Sequence, residues 1–95
     1  MQRYLVSYDV RDPKRLRLVF RAMKGYGEHM QLSVFLCDLN STGLIKLRAD
    51  LSDLINTRED SVLIVDMGPT TGRGAGAIEF LGVRGQNPFR GATVI

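Results

Sequence analysis

The sequence has one cysteine, Cys37, and one histidine, His29. A single cysteine cannot form a disulfide within the chain, so a reducing compartment suits it. Because Cys37 has no partner cysteine and no nearby base in the sequence, we expect it to be a small buried apolar residue. A single histidine cannot build an all-histidine metal site, and neither an HExxH motif nor a Cys/His ligand pattern is present. Metal sites that depend on those patterns are therefore excluded.

Long apolar runs are also absent. The longest aliphatic run is VLIV at 62–65, whereas a membrane-spanning helix needs about 20 consecutive apolar residues. The opening MQRYLVSYDV lacks the pattern of a secretory signal. We therefore expect a cytoplasmic protein. Because the chain has 95 residues, we predict one domain over 1–95, in which a deep cleft would need a second copy of the chain.

Acidic residues are scarce in one part of the chain. The whole sequence carries a formal net charge of +3, from 13 lysines and arginines against 10 acids. Between positions 11 and 24 a single acid, Asp12, accompanies six bases. The six are Arg11, Lys14, Arg15, Arg17, Arg21 and Lys24. This local excess favours a polyanionic partner such as a nucleic acid, although a solvated helix face has the same pattern.

Hydrophobic periodicity predicts two amphipathic helices. The first begins with Asp12 as its N-cap and Pro13 at its first position, and it ends at the glycines at 25 and 27. Its apolar residues at 16, 19, 20 and 23 form a buried stripe, and its bases at 14, 17, 21 and 24 form a separate one. The second helix begins after a cap at Asn40 or Ser41 and carries apolar residues at 44, 47, 51, 54 and 55.

Apolar segments predict strands at 3–9, 30–38, 61–67 and 77–83, and a short terminal strand at 92–95. We interpret the order as β-α-β-β-α-β plus the terminal strand. This is typical of an α+β sandwich of the ferredoxin-like type, with both helices on one face of an antiparallel sheet. Tyr4, Tyr8 or Phe35 is then expected on the open face, depending on register. Such a face needs a partner, either a second protomer or a nucleic acid.

Asp9 ends the first predicted strand and has no evident structural duty, because Asp12 already caps the helix. One interpretation is a turn aspartate bonded to local amides. The other is a metal ligand, with two Asp9 residues across a two-fold axis holding one Mg²⁺, which favours one or two carboxylates plus water and phosphate oxygens. Such an ion polarises a phosphodiester and lowers the pKa of bound water. Asp66 is a further candidate ligand, since its strand is expected to neighbour the first.

Other polar residues have less specific patterns. His29 precedes a predicted strand and is either an ordinary surface residue or a contact for a phosphate or a proton. Ser33 is positioned to contact a phosphate from the open sheet face. The segment GPTTGRGAGA at 68–77 is rich in glycine, but it lacks the GxxxxGK[ST] spacing of a nucleotide-binding loop and precedes a predicted strand. We predict a hairpin loop there.

Three segments together resemble the CRISPR-associated protein 2 family, the small endonuclease-like subunit of the spacer-acquisition machinery. They are the strand end Tyr8-Asp9, the helix start DPKR at 12–15, and GYGEHMQLSVF at 25–35. In the last segment Gly27, Gln31, Ser33, Val34 and Phe35 match the family's spacing. The motifs lie within about the first 40 residues, and length and element order agree over the rest.

The resemblance implies a homodimer whose open sheet faces pack together, with Asp9 of each protomer approaching a divalent metal, usually magnesium. It implies hydrolysis of phosphodiester bonds in RNA or DNA and the bridging of CRISPR integrase dimers around incoming DNA. The positions it associates with activity are Tyr8, Asp9, Arg15, Arg17 and Phe35; we take Tyr8, Asp9 and Phe35 as catalytic. The residues expected to contact nucleic acid are Arg11, Lys14, Arg15, Arg17, Arg21, His29 and Ser33.

Three other functions fit parts of the same pattern. A non-catalytic dimeric scaffold could clamp duplex DNA between integrase subunits by the basic helix alone. A toxin-type ribonuclease could use the same fold. A sheet-face RNA binder would need an aromatic signature on its third strand, and SVLIVDM at 61–67 has no aromatic residue.

Overall fold

The computed structural model describes residues 1–72 and 76–82. In chain order the elements are β1 (Gln2–Asp9), α1 (Pro13–Lys24), β2 (Glu28–Gln31), β3 (Val34–Leu39), α2 (Ser41–Leu54) and β4 (Ser61–Pro69). The strands form one sheet in the order β2-β3-β1-β4, and every neighbouring pair is antiparallel. The predicted α+β class and the ferredoxin-like β-α-β-β-α-β order are confirmed. Within the described residues, no helix is long and apolar enough to cross a membrane.

Both helix starts follow from local sequence. The Asp12 side chain accepts a hydrogen bond of 2.9 Å from the Arg15 amide, and Pro13 occupies the first turn of α1. Asn40 caps α2 by accepting 2.8 Å from the Gly43 amide. These bonds satisfy amides that a helix start leaves without partners. The predicted caps are therefore confirmed, with Asn40 rather than Ser41 on the second helix.

The prediction of one strand over 30–38 is wrong. The segment is a hairpin in which β2 ends at Gln31 and β3 begins at Val34. The turn between them contains Leu32, whose φ of +37° lies in the left-handed region that leucine rarely adopts. The sequence does not predict this turn, because the two turn residues are not the glycine or asparagine that usually mark such hairpins.

The predicted strand at 77–83 is also wrong over its described part, because residues 77–82 have no strand structure. Apolar residues in that segment do not supply the neighbouring strand that a ladder of hydrogen bonds requires. Position 83 and the predicted terminal strand at 92–95 lie outside the described residues. Among residues 1–72 and 76–82 the last strand of the sheet is therefore β4, where the sequence predicted its third strand.

The core lies between the helices and one face of the sheet. Its fully buried side chains, in order of residue volume, are Phe35, Met23, Leu47, Val6, Val19 and Cys37. Tyr4 and Tyr8 alternate with more exposed, mostly half-buried positions on β1 and point to the same covered side. The expectation that Tyr4, Tyr8 or Phe35 lies on the open face is therefore wrong. Alternation correctly groups β1 residues by face, but it does not reveal which face the helices cover.

The open face is aliphatic. Leu5 on β1 stands opposite Leu36 on β3 and Val65 on β4, and these residues alternate with the core positions. Leu63 is 60% exposed and Val65 is 41% exposed on this face. We call Leu5, Leu36, Leu63 and Val65 the aliphatic face. Because no described residue covers it, it is a surface suited to contact with another molecule.

Candidate functional site

Asp9 stands at the carboxyl end of β1, opposite Ser61 at the start of β4. Its side chain is exposed. Within the described part of the chain it receives no hydrogen bond and forms no ion pair. The interpretation of Asp9 as a turn aspartate bonded to local amides is therefore wrong. The carboxylate is free to bind a ligand.

The turn after Asp9 is held instead by Asp60, a residue that the sequence analysis missed. Its side chain has no exposed surface. It accepts hydrogen bonds from the amide of Arg11 at 3.0 Å, the amide of Asn56 at 2.8 Å and the Arg15 guanidinium at 2.8 Å. The bond from Arg15, helped by the two amides, holds the pKa of Asp60 well below its usual range. Asp60 is thus an anion that ties the β1–α1 turn to the start of β4.

Arg15 is occupied within the chain. Its guanidinium pairs with Asp60 and also approaches Glu59 at 3.2 Å, and its side chain is 25% exposed. Hydrogen bonding to Asp60 raises the pKa of Arg15 above its usual value. A guanidinium already engaged by two carboxylates has few donors left for phosphate. The contacts therefore make Arg15 a residue that positions the loop, and its contact with nucleic acid stays a prediction that they do not favour.

Four other predicted nucleic-acid contacts are exposed bases. Arg11, Lys14, Arg17 and Arg21 have no side-chain ion pair or hydrogen bond to any described residue. We call Lys14, Arg17, Arg21 and Lys24 the basic stripe of α1. Because no internal acid neutralises Lys14, Arg17 or Arg21, their charge is directed to solvent and to any polyanion that arrives there.

Phe35 and His29 lie in an aromatic cluster beneath α1. The His29 ring centroid is 5.0 Å from Phe20 and 5.0 Å from Phe35, and Tyr8 is 6.2 Å from Phe35. His29 Nε2 lies 2.7 Å from the Leu32 carbonyl oxygen, so this nitrogen donates and is already used. Phe35 has no exposed surface and cannot touch a substrate. Its predicted catalytic role is therefore corrected to a core role that supports Tyr8.

Tyr8 and Ser33 lie at the boundary between this cluster and solvent. Tyr8 is 5% exposed, and burial raises the pKa of its phenol. Ser33 belongs to the hairpin turn, where its carbonyl accepts 3.1 Å from the Tyr8 amide. The expectation that Ser33 contacts phosphate from the open sheet face is wrong, because the residue precedes β3 and faces a cavity next to Tyr8.

Among the described residues of this site, Asp9 has the one carboxylate that is free to bind a metal ion. Asp66 pairs with Tyr4, five residues along β4 from Ser61, the partner of Asp9. At about 3.3 Å per residue this is roughly 16 Å away, and Asp66 accepts bonds from Gln2 and the Gly68 amide. The Asp66 ligand prediction is therefore wrong within one chain. Among the described residues no three potential ligands from His, Cys, Asp and Glu cluster. Asp9 alone suits a magnesium ion that takes one or two carboxylates and several waters.

Comparison with known proteins places these residues in a family. The family model for CRISPR associated protein Cas2 matches residues 1–72, which span every helix and strand described above. The chain belongs to the Cas2 family. The matched segment contains Asp9, the hairpin turn and the basic stripe of α1, so the site lies within the part that defines the family. The resemblance predicted from the three sequence segments is confirmed.

Individual Cas2 proteins are similar over the same region. The chain is 47% identical over 66 residues to the CRISPR-associated endoribonuclease Cas2 of Geobacter sulfurreducens, with 70% of each chain covered. It is 50% identical over 66 residues to an endoribonuclease Cas2 of Rhodospirillum rubrum, covering 70% of this chain and 65% of that protein. A crystal structure of Streptococcus pyogenes Cas2 superposes with a TM-score of 0.75 at 30% identity, covering 84% of this chain and 99% of that one.

Proposed function

We propose that this Cas2 chain is a metal-dependent endonuclease that hydrolyses phosphodiester bonds of RNA or DNA in the cytoplasm. In the proposal it acts as a homodimer within CRISPR adaptation and bridges integrase dimers. We further propose that each protomer is a single domain over residues 1–95. The observation that carries the proposal is Asp9, an exposed carboxylate without a partner among the described residues, at the strand end that leads into the basic first helix.

The dimer follows from the aliphatic face. Leu5 and Leu36 lie at its centre, and Leu63 and Val65 remain substantially exposed. An isologous interface around a two-fold axis covers such a surface with an identical one. Asp9 lies at the strand end of this same face, because it alternates with Tyr8 and so falls on the side of Leu5 and Ser7. Pairing the faces near the strand ends brings two Asp9 carboxylates toward one axis.

In the proposed chemistry the Asp9 carboxylate binds the metal and the bases of α1 bind phosphate. Asp9 from each protomer would hold a divalent cation such as Mg²⁺, which supplies Lewis acidity toward a phosphodiester and lowers the pKa of bound water. Arg17, Lys14 and Arg21 bind nonbridging phosphate oxygens and orient the strand. Arg15 and Asp60 fix the turn that carries Asp9. Hydrolysis then breaks one phosphorus–oxygen bond as water adds to phosphorus.

Replacing Asp9 with alanine tests the catalytic assignment. Because the exposed Asp9 side chain has no hydrogen bond or ion pair to a described residue, its loss should change the free energy of unfolding by less than about 0.5 kcal/mol. Magnesium-dependent cleavage should fall by more than about 100-fold, since removing even a residue that only orients a metal ligand costs about 10–100-fold. The measurement is cleavage of labelled RNA and DNA, with unfolding by urea measured in parallel.

The matched control is Asp53→Ala. Asp53 is an exposed acid on α2, far along the chain from Asp9, and its replacement removes the same charge. Its variant should cleave as the parent does. If Asp9→Ala cleaved as fast as the parent, and this activity co-purified with the variant, Asp9 would not be the metal ligand of the reaction.

A non-catalytic scaffold is the second candidate, favoured by a specific observation. Lys14, Arg17 and Arg21 are exposed and have no ion pair among the described residues, so they suffice to bind a nucleic-acid backbone without a metal site. Spacer integration in cells that carry Asp9→Ala separates the two functions. Normal integration would assign the physiological role to the scaffold, and lost integration with intact DNA binding would assign it to the nuclease.

A further inference from the structure

A cavity of about 350 Å³ opens between α1 and the β2–β3 turn. Its walls come from Tyr8 of β1, Leu16, Arg17 and Phe20 of α1, and Leu32 and Ser33 of the turn. Most of its lining is aliphatic and aromatic, and Arg17 contributes the one charged side chain among these residues. The sequence analysis placed Leu16 in the buried stripe of the first helix and Leu32 inside a strand, whereas both side chains are exposed in the structure.

The turn side of this cavity is unusual. Leu32 is 85% exposed and has a φ of +37°. Leucine in the left-handed region is strained, and such strain persists where the surroundings hold the residue in place. Here the Leu32 carbonyl is held by His29, and the Ser33 carbonyl by the Tyr8 amide. The hairpin therefore presents a leucine to solvent at the mouth of an apolar cavity.

The charge at the rim limits what the cavity can bind. Arg17 is exposed and has no ion pair or hydrogen bond within the described residues. It belongs to the basic stripe of α1, with Lys14 and Arg21 within one helical turn of it. A purely apolar ligand would leave this cation unused. A flat apolar ring joined to an anion would satisfy both the cavity and the rim.

The geometry points to a binding site for one unpaired nucleobase, with the phosphate next to that base held by Arg17. This inference rests on the proposed nucleic-acid function and adds a contact to the base. A base inside a duplex has both faces stacked, so only a single-stranded or extruded base can enter. Stacking against aromatic side chains is tolerant of sequence, because every base has a π face. The site therefore selects single strands over duplexes rather than one base over another.

The test compares two single-stranded ligands with the same number of phosphates. One is a labelled oligothymidine, and the other has the same backbone with abasic residues throughout. Fluorescence anisotropy over a range of salt concentrations gives both affinities for the full chain. The parent should bind the base-bearing strand at least about fivefold more tightly, the lower end of what one stacked base contributes. Binding of the abasic strand should weaken with salt, since it reports the phosphate contacts alone.

Two matched variants locate the base contact. Leu16→Glu places a carboxylate in the cavity wall, and Leu18→Glu makes the same change on the same helix outside the cavity; the two leucines are 38% and 46% exposed. Both variants should weaken binding of the abasic strand similarly by charge. The ratio of base-bearing to abasic affinity should fall to near one in Leu16→Glu and stay at the parent value in Leu18→Glu. If Leu16→Glu fails to fold, Leu32→Asn removes another wall, because asparagine tolerates the left-handed region.

Each outcome decides the inference. Equal affinities of the parent for both strands would overturn it, leaving the cavity to an apolar side chain of a protein partner, while salt-dependent binding would keep the proposed function intact. An unchanged ratio in a folded cavity variant would overturn it as well, because the base contact would lie elsewhere. Absence of salt-dependent binding of either strand would refute the proposed nucleic-acid function and this site together.

Discussion

Phe35 is predicted to act on stability and not on chemistry. It has no exposed surface, and its ring centroid lies 6.2 Å from Tyr8, 5.6 Å from Phe20 and 5.0 Å from His29. Phe35→Leu keeps most of the volume but loses the two ring contacts with Tyr8 and Phe20, each worth about 0.5–1.5 kcal/mol. We therefore expect the free energy of unfolding to fall by about 1–3 kcal/mol. Phe35→Ala would cost about 3–5 kcal/mol by leaving a cavity.

These costs are large for a chain of this size. At about 0.05–0.15 kcal/mol per residue, a domain of 95 residues has roughly 5–14 kcal/mol of stability. Phe35→Ala could therefore unfold much of the sample, so Phe35→Leu is the informative variant. With an m-value of about 1.5 kcal/mol/M, its urea midpoint should drop by about 0.7–2 M, measured by circular dichroism at fixed protein concentration.

Measured cleavage activity distinguishes a core role of Phe35 from a catalytic role. Under conditions where the variant is folded, Phe35→Leu should cleave and bind nucleic acid as the parent does. The matched control is Leu47→Ala, which removes a fully buried side chain of α2 outside the aromatic cluster and costs about 2–5 kcal/mol. If folded Phe35→Leu lost cleavage while Leu47→Ala kept it, Phe35 would contribute to the reaction, directly or through Tyr8, and a purely structural role would be refuted.

Three further predictions follow from the same contacts. Burial raises the pKa of Cys37 from 9.0 to about 12, which lowers the thiolate fraction about a thousandfold at neutral pH; iodoacetamide should therefore label the native chain far more slowly than the chain in urea, and equal rates would place the thiol at the surface. Because the pKa of Asp60 is lowered on folding, its contribution to stability is present above its ordinary value of 3.8 and is lost as pH falls below it. Asp60→Asn should then lower the urea midpoint at pH 7 and reduce its fall in acid, whereas the exposed control Asp53→Asn should leave both unchanged. Leu63→Glu places a charge on the aliphatic face and should shift sedimentation from dimer to monomer, while Ile45→Glu, which is 65% exposed on α2, should not; a Leu63→Glu dimer would place the interface elsewhere.

Local signals in the sequence were sufficient for much of the fold. Asp12 and Pro13 mark the start of α1, and Asn40 marks that of α2, because a cap depends on residues within one turn. The positions of both helices, of β1 and of β4 also followed from period and spacing. The hairpin between β2 and β3 did not, because Leu32 and Ser33 are not the glycine, asparagine or aspartate that mark two-residue hairpins. A strained turn is stabilised here by distant partners, namely His29 and Tyr8, which local patterns do not connect.

The residues of the candidate site likewise differ in whether local sequence predicts them. Asp9 and the basic stripe of α1 could be identified from sequence, since they depend on residue type and position in one element. The pairing of Arg15 with Asp60 joins residues 45 positions apart, and nothing in the local pattern of either residue indicates the other. Phe35 was assigned to the site by the family resemblance, and it was one of three aromatic residues expected on the open face. Only the packing of α1 and α2 against the sheet shows that its side chain is inside.

The distribution of hydrogen bonds around the β1–α1 turn gives Asp9 its significance. Asp12 caps the helix, and Asp60 gathers two amides and a guanidinium, so the structural work of the turn is done by two other carboxylates. A third carboxylate at the same turn would add repulsion between like charges, and folding gains nothing from it in the described chain. Its presence is explained if a cation or another ligand joins it. A substitution of Asp9 should accordingly reduce activity without reducing stability. A substitution of Asp60 should reduce both, because loss of that side chain frees the loop that carries Asp9.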